Sequence, residues 1–232
     1  MTLVRSMDGP TVAGLDAAPP EASLAEFAYN RLVEMMLGGV LAAGEVLQER
    51  KLSEALSVSR TPVREALTRL EAESLVARRH GRVLVVSDMS IETCVNTLDM
   101  RRTLEMEAAA RATGRISRGE AARIAAAIDA LLETAEITPT HHWAVDEMVH
   151  GSIAEAAGNP MATAAIRDLR RRTHIFNTAR IPHRLLPGAS EHLELLDAVS
   201  GEDAERSRRL MGRHIDNVKS AIIDYILGAR RP

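Results

Sequence analysis

Asp146 and His150 stand four residues apart in WAVDEMVH, so on a helix the two side chains share one face, which Ile153 and Ala157 continue as an apolar stripe. His192 heads a second stripe with Leu195, Leu196 and Val199, and His214 lies four residues from both Leu210 and Val218 on the apolar side of a third segment. Carboxylate oxygens and imidazole nitrogens are donors that zinc, nickel and manganese accept. Polar groups aimed into an apolar interior need partners, and one shared divalent cation would serve all four residues at once. Each signal alone is ordinary, because a single histidine on an apolar face is more often a hydrogen-bonded core residue and Asp-x-x-x-His more often a surface pair. The remaining histidines of this region read as surface residues: His141 and His142 ahead of the helix, His174 and His183 in or near loops. Cys94 is the one cysteine, which excludes a disulfide framework and a thiolate cluster and leaves a small buried side chain as its reading.

These donors need rigid elements to hold them. From about Met89 to Arg230 the apolar periodicity is helical almost throughout. It predicts segments near Ser90–Thr113, Ser117–Ala135, Thr140–Ala157, Pro160–Thr178, Ala189–Ser200 and Glu202–Leu227, separated by TGRIS, ITPT, GNP, IPHRLLPG and GED. Six helices on short loops imply an antiparallel all-α bundle, assigned here to residues 88–232.

The N-terminal part is organised differently. Residues 1–22 combine Gly, Pro and Ala without an apolar period and read as a disordered tail. A helix is predicted from Leu24 to about Leu37, stopped by Gly38 and Gly39, and a short second helix over Lys51–Leu56. Ser59 is placed to N-cap a third, with Pro62 in its first turn. That third helix buries Val63, Leu67 and Leu70, with Ser74 on the same stripe, and turns Thr61, Arg64 and Thr68 outward. LVARRHGRVLVVS then reads as a hairpin with Gly81 at its tip. Three helices and a β-hairpin wing over 23–87 make a winged helix-turn-helix, so the fold class expected is mainly α. Between Arg50 and Arg82 the eight basic residues Arg50, Lys51, Arg60, Arg64, Arg69, Arg78, Arg79 and Arg82 face four acids, Glu54, Glu65, Glu71 and Glu73, in a chain whose net charge is -3. Positive charge is thus concentrated where phosphates would lie.

Composition removes several classes. Aromatic residues make up 2% of the chain, too few for the stacking rows of single-strand or RNA binders, so duplex DNA is the better nucleic-acid partner. With 46% hydrophobic and 26% charged residues the chain is ordinary for a globular protein. It has no apolar run near the roughly 20 residues that span a bilayer, and its N-terminus lacks the apolar centre of a signal peptide. A cytoplasmic protein with no membrane partner is expected.

Two resemblances sharpen these readings. LQERKLSEALSVSRTPVREALTRLEAESLVARRHGR resembles the N-terminal domain of the GntR family of bacterial transcription regulators, in which SRTPVREAL recurs letter for letter; the likeness covers about residues 24–87. Ser74 departs from the glycine usual there. The resemblance implies that Arg50, Arg60 and Arg64 contact DNA, that Thr61 lies near the backbone, and that His80 and Gly81 reach the minor groove from the wing tip. An arginine near the start of a recognition helix can offer a bidentate fork to O6 and N7 of guanine, which agrees with those roles. MRRTLEMEAAARA, DEMVHGSIAEAAGNP, SEHLELLDAVSGED and MGRHI together resemble the FCD effector domain of the FadR-type branch of that family. Its metal-binding members use one Asp and three His, which fall on Asp146, His150, His192 and His214; Val149 stands where Phe is common. Arg101, in Arg-x-x-Leu-Glu, would face the effector cavity, although an ion pair with Glu105 one turn on is equally compatible with the spacing.

The expectation is a dimeric, ligand-responsive DNA-binding regulator, most simply a repressor, carrying a divalent metal (zinc first, nickel or manganese otherwise) and released from a palindromic operator by a small carboxylic or sugar acid. A regulator whose metal is purely structural and a metal-dependent hydrolase are the alternatives. The hydrolase lacks a clearly placed general base and leaves the N-terminal domain unexplained.

Overall fold

The computed structural model describes residues 21–134, 137–177, 185–226 and 228. The predicted tail, up to residue 20, and His183 lie outside them. Helix α1 (Glu21–Leu37) is followed by α2 (Glu49–Leu56) and α3 (Arg60–Ala72), then by strands β1 (Val76–Arg79) and β2 (Val83–Val86). Six more helices complete the described chain: α4 (Ile91–Ala112), α5 (Arg118–Glu133), α6 (Pro139–Ala156), α7 (Pro160–Asn177), α8 (Leu185–Ser200) and α9 (Ala204–Ile226).

Local chemistry accounts for most boundaries. Gly39 takes a left-handed φ of 74° after α1, a conformation that costs glycine nothing. Ser59 is extended at the N-cap of α3, yet its side chain makes no capping bond. Ser90, Ser117 and Thr138 do cap, each accepting the backbone N–H three residues on, from Thr93, Glu120 and His141. Thr138 with Pro139 therefore starts α6 one residue ahead of the predicted Thr140. Helix α8 begins four residues before the predicted Ala189, which takes Pro187 and Gly188 into its first turn. The hairpin pairs Val76 with Val86 and Arg79 with Val83. His80 and Gly81 turn it with φ of 50° and 71°. Residues 44–47 add a short third edge, with Leu47 N–H donating to Leu84 and Val86 N–H to Glu45.

Two cores result. Leu32, Met36, Leu52, Leu56, Val63, Leu67, Leu70, Val76 and Val86 join α1, α2, α3 and the wing. Leu98, Ile124, Ile128, Ile153, Ile166, Leu195, Val199, Met211 and Ile222 join α4–α9. Truncating one such leucine to alanine costs about 2–5 kcal/mol, much of a domain's net stability. The winged helix-turn-helix and the six-helix bundle meet along α1, α6 and α7. Ile175 of α7 enters the N-terminal core and Trp143 of α6 packs against it. A Cβ on Gly38 would stand 2.9 Å from Thr140 Oγ1, so glycine lets the end of α1 touch the start of α6.

Candidate metal centre and nucleic-acid interface

Helix α6 supplies Asp146 and His150, α8 supplies His192 and α9 supplies His214, and one ligand atom from each lies within 4.8 Å of all the others. His150 Nε2 is 3.2 Å from His192 Nε2. Asp146 Oδ1 is 3.5 Å from His192 Nε2 and 3.7 Å from His150 Nε2. Metal bonds of about 2.0–2.1 Å place tetrahedral ligands about 3.4 Å apart, a value that these three separations bracket. The three histidines are at most 5% exposed.

Behind the ligands stands a layer of charged partners. Glu105 on α4 hydrogen-bonds His150 Nδ1 through Oε2, while its Oε1 accepts from Arg101 Nε at 2.7 Å. Glu191 Oε2 lies 2.8 Å from His214 Nδ1, and its Oε1 accepts from Asn217. Arg170, buried on α7, donates to Asp146 Oδ2 at 2.5 Å and to Glu147. An ionised carboxylate only accepts, so the Nδ1 atoms of His150 and His214 carry their protons and their Nε2 lone pairs are left bare, the tautomer a metal ligand needs. Nitrogens so crowded are satisfied by a cation between them, and the donor set therefore fits a divalent metal.

Electrostatics prepare the same protonation states. Burial lowers the pKa of His192, helped by His214, and burial also lowers that of His214 against the opposing pull of Glu191. Burial alone would raise Asp146 and Glu105. The Arg170 guanidinium holds Asp146 well below the usual carboxylate range, and Arg101, with the hydrogen bond from His150, does the same for Glu105. His192 and His214 are thus neutral imidazoles and Asp146 a carboxylate at neutral pH, the forms that bind a divalent metal.

Several sequence expectations need adjustment. Arg101 is 7% exposed and engages Glu105 and, through Nη1, Thr173 Oγ1 at 2.9 Å, the within-helix pairing its spacing allowed. His142 and His174 are half-buried rather than on the surface. Their rings stack at 6.2 Å, His174 lies 4.6 Å from Trp143, and burial pushes its pKa down to about 4. Glu191 and Arg170 were not anticipated. Glu191 directly precedes His192, a hint in retrospect, whereas nothing in LRRRTH singles out the first of its three arginines.

On the N-terminal side, Arg50, Arg60, Thr61, Arg64, His80 and Gly81 are all exposed. A groove lined by Gln48, Glu49, Arg64, Thr68, Arg78 and Arg82 runs between α3 and the wing. Arg69 pairs with Glu26 and Glu73, and Arg78 with Glu71. Ser74, in glycine's usual place after α3, holds a left-handed φ of 59°.

A winged helix-turn-helix with an exposed basic face, standing on a helical bundle that gathers Asp146, His150, His192 and His214, is the architecture of a DNA-binding transcription regulator. The chain belongs to the GntR family: residues 24–86 match the model of bacterial regulatory proteins of the gntR family, and residues 96–217 match the FCD domain. Among its relatives, the HTH-type transcriptional regulator BphR of Paraburkholderia xenovorans is 30% identical, over 88% of this chain and 86% of BphR. The HTH-type transcriptional repressor RspR of Escherichia coli is 24% identical, over 84% of this chain and 86% of RspR. The solved structure of E. coli McbR/YncC shares the fold with a TM-score of 0.73 at 20% identity, over 87% of this chain and 98% of that one.

Proposed function

We propose that this regulator is a metal-loaded repressor, binding a palindromic operator as a homodimer in the cytoplasm and released by a small carboxylic or sugar acid. The convergence of Asp146, His150, His192 and His214, with carboxylates behind two of the histidines, carries this reading. Those four residues would hold zinc, or nickel or manganese; the bound ion supplies a Lewis-acid point to which an acid's carboxylate can attach. Arg101 uses two N–H groups on Glu105 and Thr173, and its guanidinium has others to offer the effector. Arg50, Arg60 and Arg64 contact the operator, Thr61 lies by the backbone, and His80 and Gly81 enter the minor groove. RspR, similar over most of its length, is named a repressor, which favours the same sign of regulation here.

Helix α7 gives the two halves a common element. Arg170 grips Asp146, the next residue Arg171 donates to Tyr29 at 2.8 Å and lies 3.6 Å from Glu73 at the end of α3, and Thr173 receives Arg101. An effector shifts the protein only by its differential affinity for two states, and a displacement of α7 would reach the recognition helix directly. The test is elemental analysis of purified protein, followed by operator titration of the metal-loaded form against a panel of carboxylic and sugar acids. Near-stoichiometric metal and release by one acid class are expected. Metal-free protein, or metal-loaded protein that no acid releases, would refute the respective half.

A further inference from the structure

Arg64 is held differently from Arg50, and in the same way as Arg78, which forks onto Glu71 from the wing. Arg50 pairs with Glu54 one turn along its own helix at 2.9 Å, an exposed contact that fixes little. Arg64 on α3 reaches instead to Glu49 at the start of α2, with Nε donating to Oε1 at 3.1 Å and Nη2 to Oε2 at 2.7 Å. The Arg64 side chain is 65% exposed and that of Glu49 32%. The two helices are locked together by buried Leu52, Leu56, Val63 and Leu67, so this fork sets the direction of the guanidinium relative to the whole domain. A guanidinium has five N–H groups in one plane. Glu49 takes the side edge formed by Nε and Nη2. The terminal edge, with one N–H from each Nη, is left for O6 and N7 of a guanine.

We propose that Glu49 is a specificity-determining positioning residue, a brace that aims the terminal edge of Arg64 at one guanine per half-site. This rests on the reading that Arg64 meets a base edge. A carboxylate beside DNA otherwise only repels phosphates and weakens binding to every sequence alike. Holding Arg64 in place beforehand spares the ordering of a long side chain, a saving of about two- to twelve-fold in affinity that is realised only where the guanine is present.

The experiment uses full-length, metal-loaded protein in anisotropy titrations. The duplexes are one recovered from a random library by in vitro selection with the wild-type chain, the same duplex with each half-site guanine changed in turn to adenine, and a scrambled control. Arg64→Ala should lose roughly 5- to 150-fold on the selected duplex and far less on the scrambled one. Glu49→Ala should lower discrimination at the same base pair by about two- to twelve-fold while binding scrambled DNA at least as tightly as wild type. Glu49→Gln, which keeps one acceptor, should fall between. In an Arg64→Ala background, Glu49→Ala should change all duplexes by one common factor. If Glu49→Ala tightens every duplex equally with Arg64 present, the brace is overturned and Glu49 is only a repulsive neighbour. If Arg64→Ala weakens selected and scrambled duplexes equally, the base-reading role falls, and the brace with it.

Discussion

Glu105→Gln tests whether the layer behind the ligands sets the metal affinity. Glu105 is 2% exposed and divides its two oxygens between Arg101 Nε and His150 Nδ1. The amide is nearly isosteric, so packing is kept while the charge is lost. Two effects follow. Arg101, with its side chain 9% exposed, becomes a buried cation without a counter-ion, which costs about 3–5 kcal/mol, or about 6–20 °C in Tm for a chain of this size. His150 loses the carboxylate that fixes its tautomer and strengthens Nε2 as a donor, which costs about 10- to 100-fold in metal affinity, or about 1.4–2.7 kcal/mol. Thermal melts read the first effect and competition against a chromophoric zinc chelator the second. Adding Arg101→Met separates them: removing the stranded cation should recover much of the stability, but the affinity should stay low because no carboxylate returns. An affinity unchanged in Glu105→Gln, or restored in the double variant, would refute the argument that Glu105 acts through His150.

Three further outcomes are expected. Metal-free protein should lose stability as pH falls through about 6.5, because unfolded histidines take up protons there while His192 and His214, with lowered pKa values, resist. Asp146 and Glu105, also lowered, contribute stability above about pH 4 that is lost as pH drops further, so the two effects share a sign and a flat melting profile from pH 8 to 5 would contradict the burial described. Arg171→Ala should keep metal content while narrowing the gap in operator affinity with and without effector, measured by anisotropy; an unchanged gap would remove this contact from the coupling. Ser74→Gly should raise stability by about 0.5–1 kcal/mol in denaturant melts, since glycine adopts the φ of 59° without strain, and a loss would show that the serine side chain has a compensating role.

Helix phase is a one-dimensional property, and what depends on it was legible in the residues. Asp146 and His150 had to share a face, His192 and His214 had to sit on apolar stripes, and Val63, Leu67 and Leu70 had to point inward, because 3.6 residues per turn fixes each direction from spacing alone. Caps at Ser90 and Ser117 follow from equally local chemistry. The azimuth of one helix against another is not encoded in this way. Which carboxylate backs which histidine, whether Arg101 turns to Glu105, and how deeply His142 and His174 sink between α6 and α7 all depend on side chains brought together from distant positions. Arg170 and Arg171 show this most plainly. They are adjacent and identical in chemistry, yet the packing of α7 sends one guanidinium to Asp146 in the bundle and the other to Tyr29 beside the recognition helix. Only the tertiary fold decides that, because successive residues on a helix point about 100° apart and each takes the partner that packing provides.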